Sequence, residues 1–497
     1  KVKLGNTEGM YFAVWAPGAR RVSVVGDFNY WNGMLYPMHK MENSDIFELF
    51  IPGLSCGQFY KFEIKNVQGD IIQMVDPYAV MNEEKENGAS RMFDLGRFRW
   101  EDSRWLSKRY HGNVFKTPMS VCEVRISELD SPDEKVQEIV QDMGHTHILL
   151  RGTPERAKLG VERGFFEPAF YGNTPDTMRF FVDRSHKRNI GVMLEISPEY
   201  LTRAVHLFEK KHPQAVNYLL ANILFWIKEY HIDGFVFRGL SENSSDFLEK
   251  AKEVIKKEDN SVLFIGEEIK GKQTRDFFDF EWNMELKAGV EEYLGTDFEK
   301  RQGKYFCLSQ PLMKGDFSNT LLLLNKEKNN LFDESLIDKK PSCDYDKLTG
   351  VRMSYGYLMG VPGRKAWDLH SHENISSQEY VKSLIRIYEY DPLRASFEWI
   401  NGMDAESSVL RFMRKSPSGR DNLLFICNFG TEEKENCQVG VPKAGKYTMI
   451  SNSDAVEFGG EGRDEHQEVQ AVSECWDLRP YSIKISVPPL ATLIFKF

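Results

Sequence analysis

Short apolar runs open the chain: YFAVWAP (11–17), RVSVVGDF (21–28), IFELFIP (46–52) and QFYKFEIK (58–65) are rich in aromatic and β-branched residues. Gly, Pro and Asn turns separate them, a pattern that predicts a small antiparallel β-sandwich over residues 1–112. The periodicity then changes. MSVCEVRI (119–126), HTHILL (145–150), IGVMLEI (190–196), GFVFRGL (234–240), SVLFIGE (261–267) and NTLLLLN (319–325) read as buried strands. Between them, PDTMRFFVDRSHKR (175–188) and QAVNYLLANILFWIKEY (214–230) carry apolar residues at helical spacing. Strand–helix alternation across 113–404 predicts an α/β domain with a central (β/α)8 barrel. From 405 to 497 the strands shorten again (SVLRFMR, NLLFICNF, KYTMISNS, YSIKISV, ATLIFKF), predicting a C-terminal antiparallel β-sandwich. The densest apolar cluster, LLLLN at 321–325, has strand length and is far from the ~20 residues that span a bilayer.

With 497 residues, a multidomain chain is expected from length as well. A hydrophobic share of 41% and a charged share of 28% suit packed cores rather than disorder. The net charge of -10 excludes a nucleic-acid or anionic-membrane surface as the default and leaves a neutral or polar ligand. Seven cysteines, odd in number and without CxxC spacing, predict reduced thiols in a cytoplasm and no zinc site. His145 and His147 flank a strand start but have no further metal-ligand residues nearby in sequence, so a structural role is expected. No cofactor and no metal are expected.

Several long segments carry a resemblance. VSVVGDFNYWNG (22–33), GQFYKFEI (57–64) and DPYA (76–79) resemble the glycogen-binding-type module fused to glycogen branching enzymes. YGNTPDTMRFFVDRSHKRNIGVML (171–194) and NILFWIKEYHIDGF (222–235) resemble segments leading into the first catalytic strands of the alpha-amylase superfamily. FDFEWNM (278–284), SNSDAVEFGGEG (451–462) and RPYSIKISVPPLATLIF (479–495) are similarly close to branching enzymes. The resemblance covers nearly the whole chain and implies the three-domain order already read from periodicity.

It also implies a chemistry. Branching enzymes run a retaining double displacement, with a nucleophilic Asp, an acid/base Glu and a third Asp that grips sugar hydroxyls. On this chain the nucleophile position falls on Arg238, with Val236 where the family has Arg. The third carboxylate falls on Lys326, and Asn325 stands at its preceding His. Glu195 and Tyr200 take the first motif's Asp and His, and only Glu267 keeps its catalytic identity, at the acid/base position. A guanidinium stays protonated and has no lone pair with which to attack an anomeric carbon. Asp233 lies at the start of its strand, whereas barrel chemistry happens at the C-terminal ends. The stretches 198–212 and 239–262 are shorter than the cleft-building loops of the family.

These departures imply a branching-enzyme-like protein that has lost catalysis. Arg238 and Lys326 would then meet Glu195 and Glu267 as a salt-bridged plug in the barrel mouth. Trp31 and Lys61 stand where related modules contact sugars, and Trp100 with Trp105 is expected to join module to barrel. The expected partners are glycogen or another α-glucan and an active glycogen-metabolism enzyme. Three functions stay open at this point: a glucan-binding or regulatory scaffold, an active 1,4-alpha-glucan branching enzyme, and a chain repurposed for a small ligand or protein partner.

Overall fold

In the strand Thr7–Trp15, Met10, Phe12 and Val14 are buried while Tyr11 and Ala13 face outward, the period of two that fixes one face of a strand inward. Val22 and Val24 of Ala19–Gly26, Phe47 and Ile51 of Ile46–Pro52, and Tyr60 and Phe62 of Phe59–Asn66 share that core. These strands belong to two sheets, Val2–Leu4, Thr7–Trp15, Ile46–Pro52, His39–Lys40 and Ala19–Gly26, Phe59–Asn66, Ile71–Met74, the short Ser90–Arg91 pairing with Phe59–Asn66. Two sheets around one core make a sandwich. The structure, a computed structural model, describes the chain apart from residues 84–87, 114–116, 127–133, 153–164, 169–173, 197–212, 268, 270–276, 283–288, 290–319, 325–343, 369–374, 389–395, 401–407, 417–418, 420 and 464–467.

Eight strands follow one another in chain order around a closed barrel. They are Ser120–Arg125, His147–Arg151, Gly191–Ile196, Gly234–Phe237, Leu263–Glu267, Phe280–Trp282, Thr320–Leu324 and Arg364–Asp368, and the last pairs in parallel with the first. Pro175 and Pro213 open their helices, Pro175–Lys187 and Pro213–Tyr230, where a missing N–H costs nothing because no intrahelical partner exists there. The first of these ends on Arg184, His186 and Lys187, cations that suit the negative end of a helix. Sequence periodicity finds six of the eight strands. The two it misses are Phe280–Trp282, only three residues long, and Arg364–Asp368, whose RKAWD sequence opens on two basic residues that are nonetheless fully buried.

The C-terminal sandwich joins a six-stranded sheet to the two-stranded Lys434–Val441/Tyr481–Val487 sheet. Its central strands Val409–Lys415, Leu423–Asn428 and Ala491–Lys496 are buried on both faces. Leu424, Ile426, Leu493 and Phe495 pack inward against Val439, Val441, Ile483 and Ile485. Leu410, Phe412, Phe425, Cys427 and Ile494 pack outward against Tyr355, Tyr357, Tyr380, Val381 and Leu384 of the helices Asp344–Gly360 and Ile375–Tyr388. Double burial explains the unbroken apolar runs NLLFICNF and ATLIFKF, which a half-exposed strand would alternate with polar residues. The chain divides into two compact units: Lys1–Tyr110 with Arg125–Val136 and Leu150–Leu263, and His111–Val124 with Gln137–Leu149 and Phe264–Phe497. Among the described residues, no helix is long and apolar enough to cross a membrane.

Candidate functional site

Three charged side chains meet where neighbouring barrel strands end. Glu195 lies near the C-terminal end of Gly191–Ile196, Arg151 ends His147–Arg151, and Arg238 follows Gly234–Phe237 by one residue. The Glu195 Oε2 atom accepts a hydrogen bond from Arg151 Nε at 2.8 Å and lies 3.3 Å from Arg238 Nε. All three side chains are nearly buried, so each charge persists because an opposite charge stands beside it. The parallel register sets Glu195 opposite Val236 and Ile196 opposite Phe237. Arg238 is therefore one step beyond the paired strand, within reach of the carboxylate. The Arg238–Glu195 contact matches the expected pairing of charges; Arg151 is a third member that sequence reading missed, although a cation closing the apolar run HTHILLR was a visible signal.

Glu267 ends the strand Leu263–Glu267, half-buried and in register with Trp282 of Phe280–Trp282. Tyr200, Asn325 and Lys326 lie outside the described residues, and with them the second cation of the expected plug.

A second charged cluster sits at the opposite, N-terminal end of the Gly234–Phe237 strand, around Asp233. Its Oδ1 accepts from Trp105 Nε1 at 2.8 Å and Arg109 Nη1 at 2.6 Å, and its Oδ2 from the Val192 amide at 2.6 Å. His186 Nε2 lies 2.9 Å from the same Oδ2, while His186 Nδ1 lies 2.8 Å from Asp102 Oδ2. That Asp102 oxygen also meets His231 Nδ1 at 2.8 Å. A neutral imidazole has one N–H, so two carboxylates facing both ring nitrogens call for the imidazolium. Burial alone would lower the His186 pKa, but Asp233 and Asp102 push it up to about 8. Burial would likewise raise Asp102, yet His186 and His231 hold it at about 2, and His186 with Arg109 keeps Asp233 well below the usual carboxylate range. Trp100 stacks on His231 with ring centroids 3.9 Å apart, and Trp105 stacks on His186. The two tryptophans thus tie the segment after the N-terminal sandwich to the barrel's lower rim. Buried and on the face away from the strand C-termini, this cluster is a structural knot rather than a reaction centre.

Trp31 belongs to a turn that folds back over the Ala19–Gly26/Phe59–Asn66 sheet. Its amide donates to Gly26 O at 3.0 Å, and the turn residues Tyr30 and Trp31 hold φ of 55° and 60°. Asn29 fixes the turn from beneath, accepting from the Gly26 amide and donating to Val24 O, both at 2.9 Å. Since Val22, Val24, Tyr60 and Phe62 point into the core, the alternate residues Arg21, Ser23, Lys61 and Glu63 share the other face. Gly33 seats the turn on that face: a Cβ there would come within 1.9 Å of Glu63 Oε1, and Arg21 Nη2 holds Glu63 at 2.7 Å. Trp31's turn and Lys61 therefore occupy one side of one sheet, with Trp31 half-buried, Met34 and Tyr30 exposed and Lys61 between. His145 bonds Ser120 Oγ through Nδ1 at 2.8 Å, and His147 meets Thr146 Oγ1, both ordinary structural contacts.

Two family descriptions match parts of the chain: carbohydrate-binding module 48 (isoamylase N-terminal domain) over residues 2–79, and alpha amylase, C-terminal all-beta domain, over 399–497. The 1,4-alpha-glucan branching enzyme GlgB of Halothermothrix orenii is 29% identical, covering 98% of this chain and 94% of the relative. That of Butyrivibrio fibrisolvens is also 29% identical, over 99% and 93%. The first alignment runs over 592 positions against the 497 residues here, so the relative carries segments this chain lacks. Among solved structures, a pullulanase from Paenibacillus barengoltzii superposes with a TM-score of 0.70 at 14% identity, covering 98% of this chain and 92% of that one. A pullulanase from Bacillus acidopullulyticus does so with 0.68 at 14%, over 98% and 73%. At such identities the superposition speaks for the fold alone.

Proposed function

We propose that the chain is a branching-enzyme-like protein of the alpha-amylase superfamily that serves α-glucan metabolism by binding glucan without branching it, as a scaffold or regulatory partner of an active enzyme in the cytoplasm. The observation that carries this reading is Arg238. The family resemblance implies the nucleophile's position for it; it directly follows the C-terminal end of its barrel strand, and its guanidinium lies 3.3 Å from Glu195. A retaining mechanism needs two carboxyl groups about 5 Å apart across the bond being broken, one of them as nucleophile. A cation held by a neighbouring carboxylate supplies neither a lone pair nor a negative charge to stabilise an oxocarbenium ion. Glu267 keeps the acid/base identity, but an acid without a nucleophile does not complete the double displacement.

Glucan binding is supported by the module match over residues 2–79 and by the face that gathers Trp31 and Lys61. An indole covers the apolar side of a pyranose while a neighbouring ammonium satisfies hydroxyls. The test uses the full chain on amylose, read by iodine absorbance and by the chain-length profile after debranching. No change in either, with retardation by glycogen in a native gel, is expected; turnover that Glu267→Gln abolishes would establish an active branching enzyme instead.

A further inference from the structure

Ten non-glycine residues among those described hold positive φ, and only two pairs of them are adjacent. One is Tyr30–Trp31; the other is Asp477–Leu478, at 48° and 56°, in the C-terminal sandwich. Side chains are disfavoured in that region, and backbone held there against its preference clusters at binding sites. The two turns share a second property: Leu478 at 94% and Tyr30 at 91% are the most exposed large apolar side chains described, Tyr30 next to Trp31 and Leu478 two positions after Trp476. Trp476 is itself 46% exposed.

The Trp476 turn is held rigidly. Trp476 and Arg479 exchange backbone hydrogen bonds of 3.1 and 2.8 Å, closing a two-residue turn that ordinarily selects Asn-Gly. Asp477 Oδ2 accepts from the Gly440 amide and from the largely buried Arg411 Nη1, both at 3.0 Å. Gly440 lets the turn lie flat on the sheet, since a Cβ there would come within 2.1 Å of Trp476 O. Val439 and Ile483 point into the core, so Gln438 and Lys484, paired in register, face outward beside the turn. Both reach one carboxylate oxygen, Glu474 Oε2, at 3.1 and 3.0 Å. The turn that carries the indole thus lies on the sheet face that also presents an amide, a carboxylate and an ammonium.

We infer that this turn is a second α-glucan contact, with Trp476 stacking on a pyranose face and the Gln438–Glu474–Lys484 cluster exchanging hydrogen bonds with sugar hydroxyls. The inference rests on the glucan-binding reading above and extends it to the C-terminal sandwich. A protein partner fits less well: one half-exposed indole and one leucine offer far less than the roughly 800 Å² per side of a stable protein interface.

Affinity electrophoresis of the full chain in glycogen-containing native gels tests it, comparing wild type, Trp476→Ala, Trp476→Phe, Trp31→Ala and the Trp31/Trp476 double alanine variant. Loss of one aromatic contact weakens apparent affinity about three- to tenfold. Trp476→Ala is expected to show that loss, Trp476→Phe to keep most of the retardation, and the double variant to migrate as if no glycogen were present. If Trp476→Ala is unstable, Gln438→Ala with Lys484→Ala, two outward-facing positions, must show the same weakening. Unchanged retardation of these variants overturns the inference and leaves the wider reading intact. Absence of retardation in the wild type overturns the wider reading and this one together.

Discussion

Arg238 holds its Nε 3.3 Å from the Glu195 oxygen that Arg151 already occupies at 2.8 Å, so one carboxylate answers two guanidinium groups. The arrangement makes the two ends of the contact unequal. Removing Arg238 leaves Glu195 with Arg151; removing the charge of Glu195 strips both arginines of the same partner.

Glu195→Gln is therefore expected to cost about 3 kcal/mol, the scale of breaking a nearly buried pair, while Arg238→Met costs about 1 kcal/mol or less. Urea midpoints at neutral pH, with slopes checked for constancy, read the difference. Equal losses would contradict a shared carboxylate.

On the proposed reading, an acid restored at one position does not restore chemistry. Arg238→Asp returns the nucleophile identity that the family resemblance implies for this position, with Lys326 unchanged at the position implied for the third carboxylate, and it leaves Arg151 and Glu195 paired beside it. The expected outcome is an unchanged iodine absorbance and chain-length profile on amylose. Branching by this single variant would place the block to catalysis at Arg238 alone.

The knot around His186 predicts how stability follows pH. Its folded pKa of about 8 stands above the unfolded value near 6.5, so the imidazolium contributes fully below about 6.5 and is lost as pH rises through about 8. The difference corresponds to about 2 kcal/mol. Asp102, lowered to about 2, contributes above about 4 and is lost as pH falls through about 2. Denaturant melts from pH 5 to 9 should therefore show an alkaline decline that His186→Gln abolishes. A decline of the same size in that variant would assign it elsewhere.

Backbone strain at the Trp476 turn predicts opposite signs for two glycine exchanges. Leu478→Gly places a residue that accepts φ of 56° without a Cβ penalty and is expected to stabilise by about 1 kcal/mol. Gly440→Ala forces its Cβ against Trp476 O and should destabilise by about 1–3 kcal/mol. Thermal midpoints moving in the same direction would refute the geometry.

Much of this architecture was legible in the sequence because period-two and period-3.6 patterns report burial directly. Where burial and polarity part company, legibility ends. Arg364 and Lys365 are fully buried basic residues, Lys365 donating to Val361 O at 2.7 Å and Gly363 O at 2.9 Å, so their strand looks like a loop to a hydrophobicity pattern. At the barrel centre, family motifs led to Glu195 and Arg238, but Arg151 belongs to no motif and is found only where neighbouring strands bring it alongside. The Trp476 turn escaped for a different reason. CWDLRP contains no Gly or Asn to announce positive φ, because tertiary clamps on Asp477 replace local preference.

The central strands of the six-stranded C-terminal sheet, buried on both faces, also limit how this protein can be taken apart. The all-beta match begins at residue 399, yet Leu410, Phe412, Phe425 and Ile494 rest on the helices Asp344–Gly360 and Ile375–Tyr388, which precede it. A fragment starting at 399 would turn those side chains toward water as a contiguous greasy surface and self-associate. Shuffling of this region between proteins must therefore carry the two helices with the sheet: the exchangeable piece is larger than the homologous one.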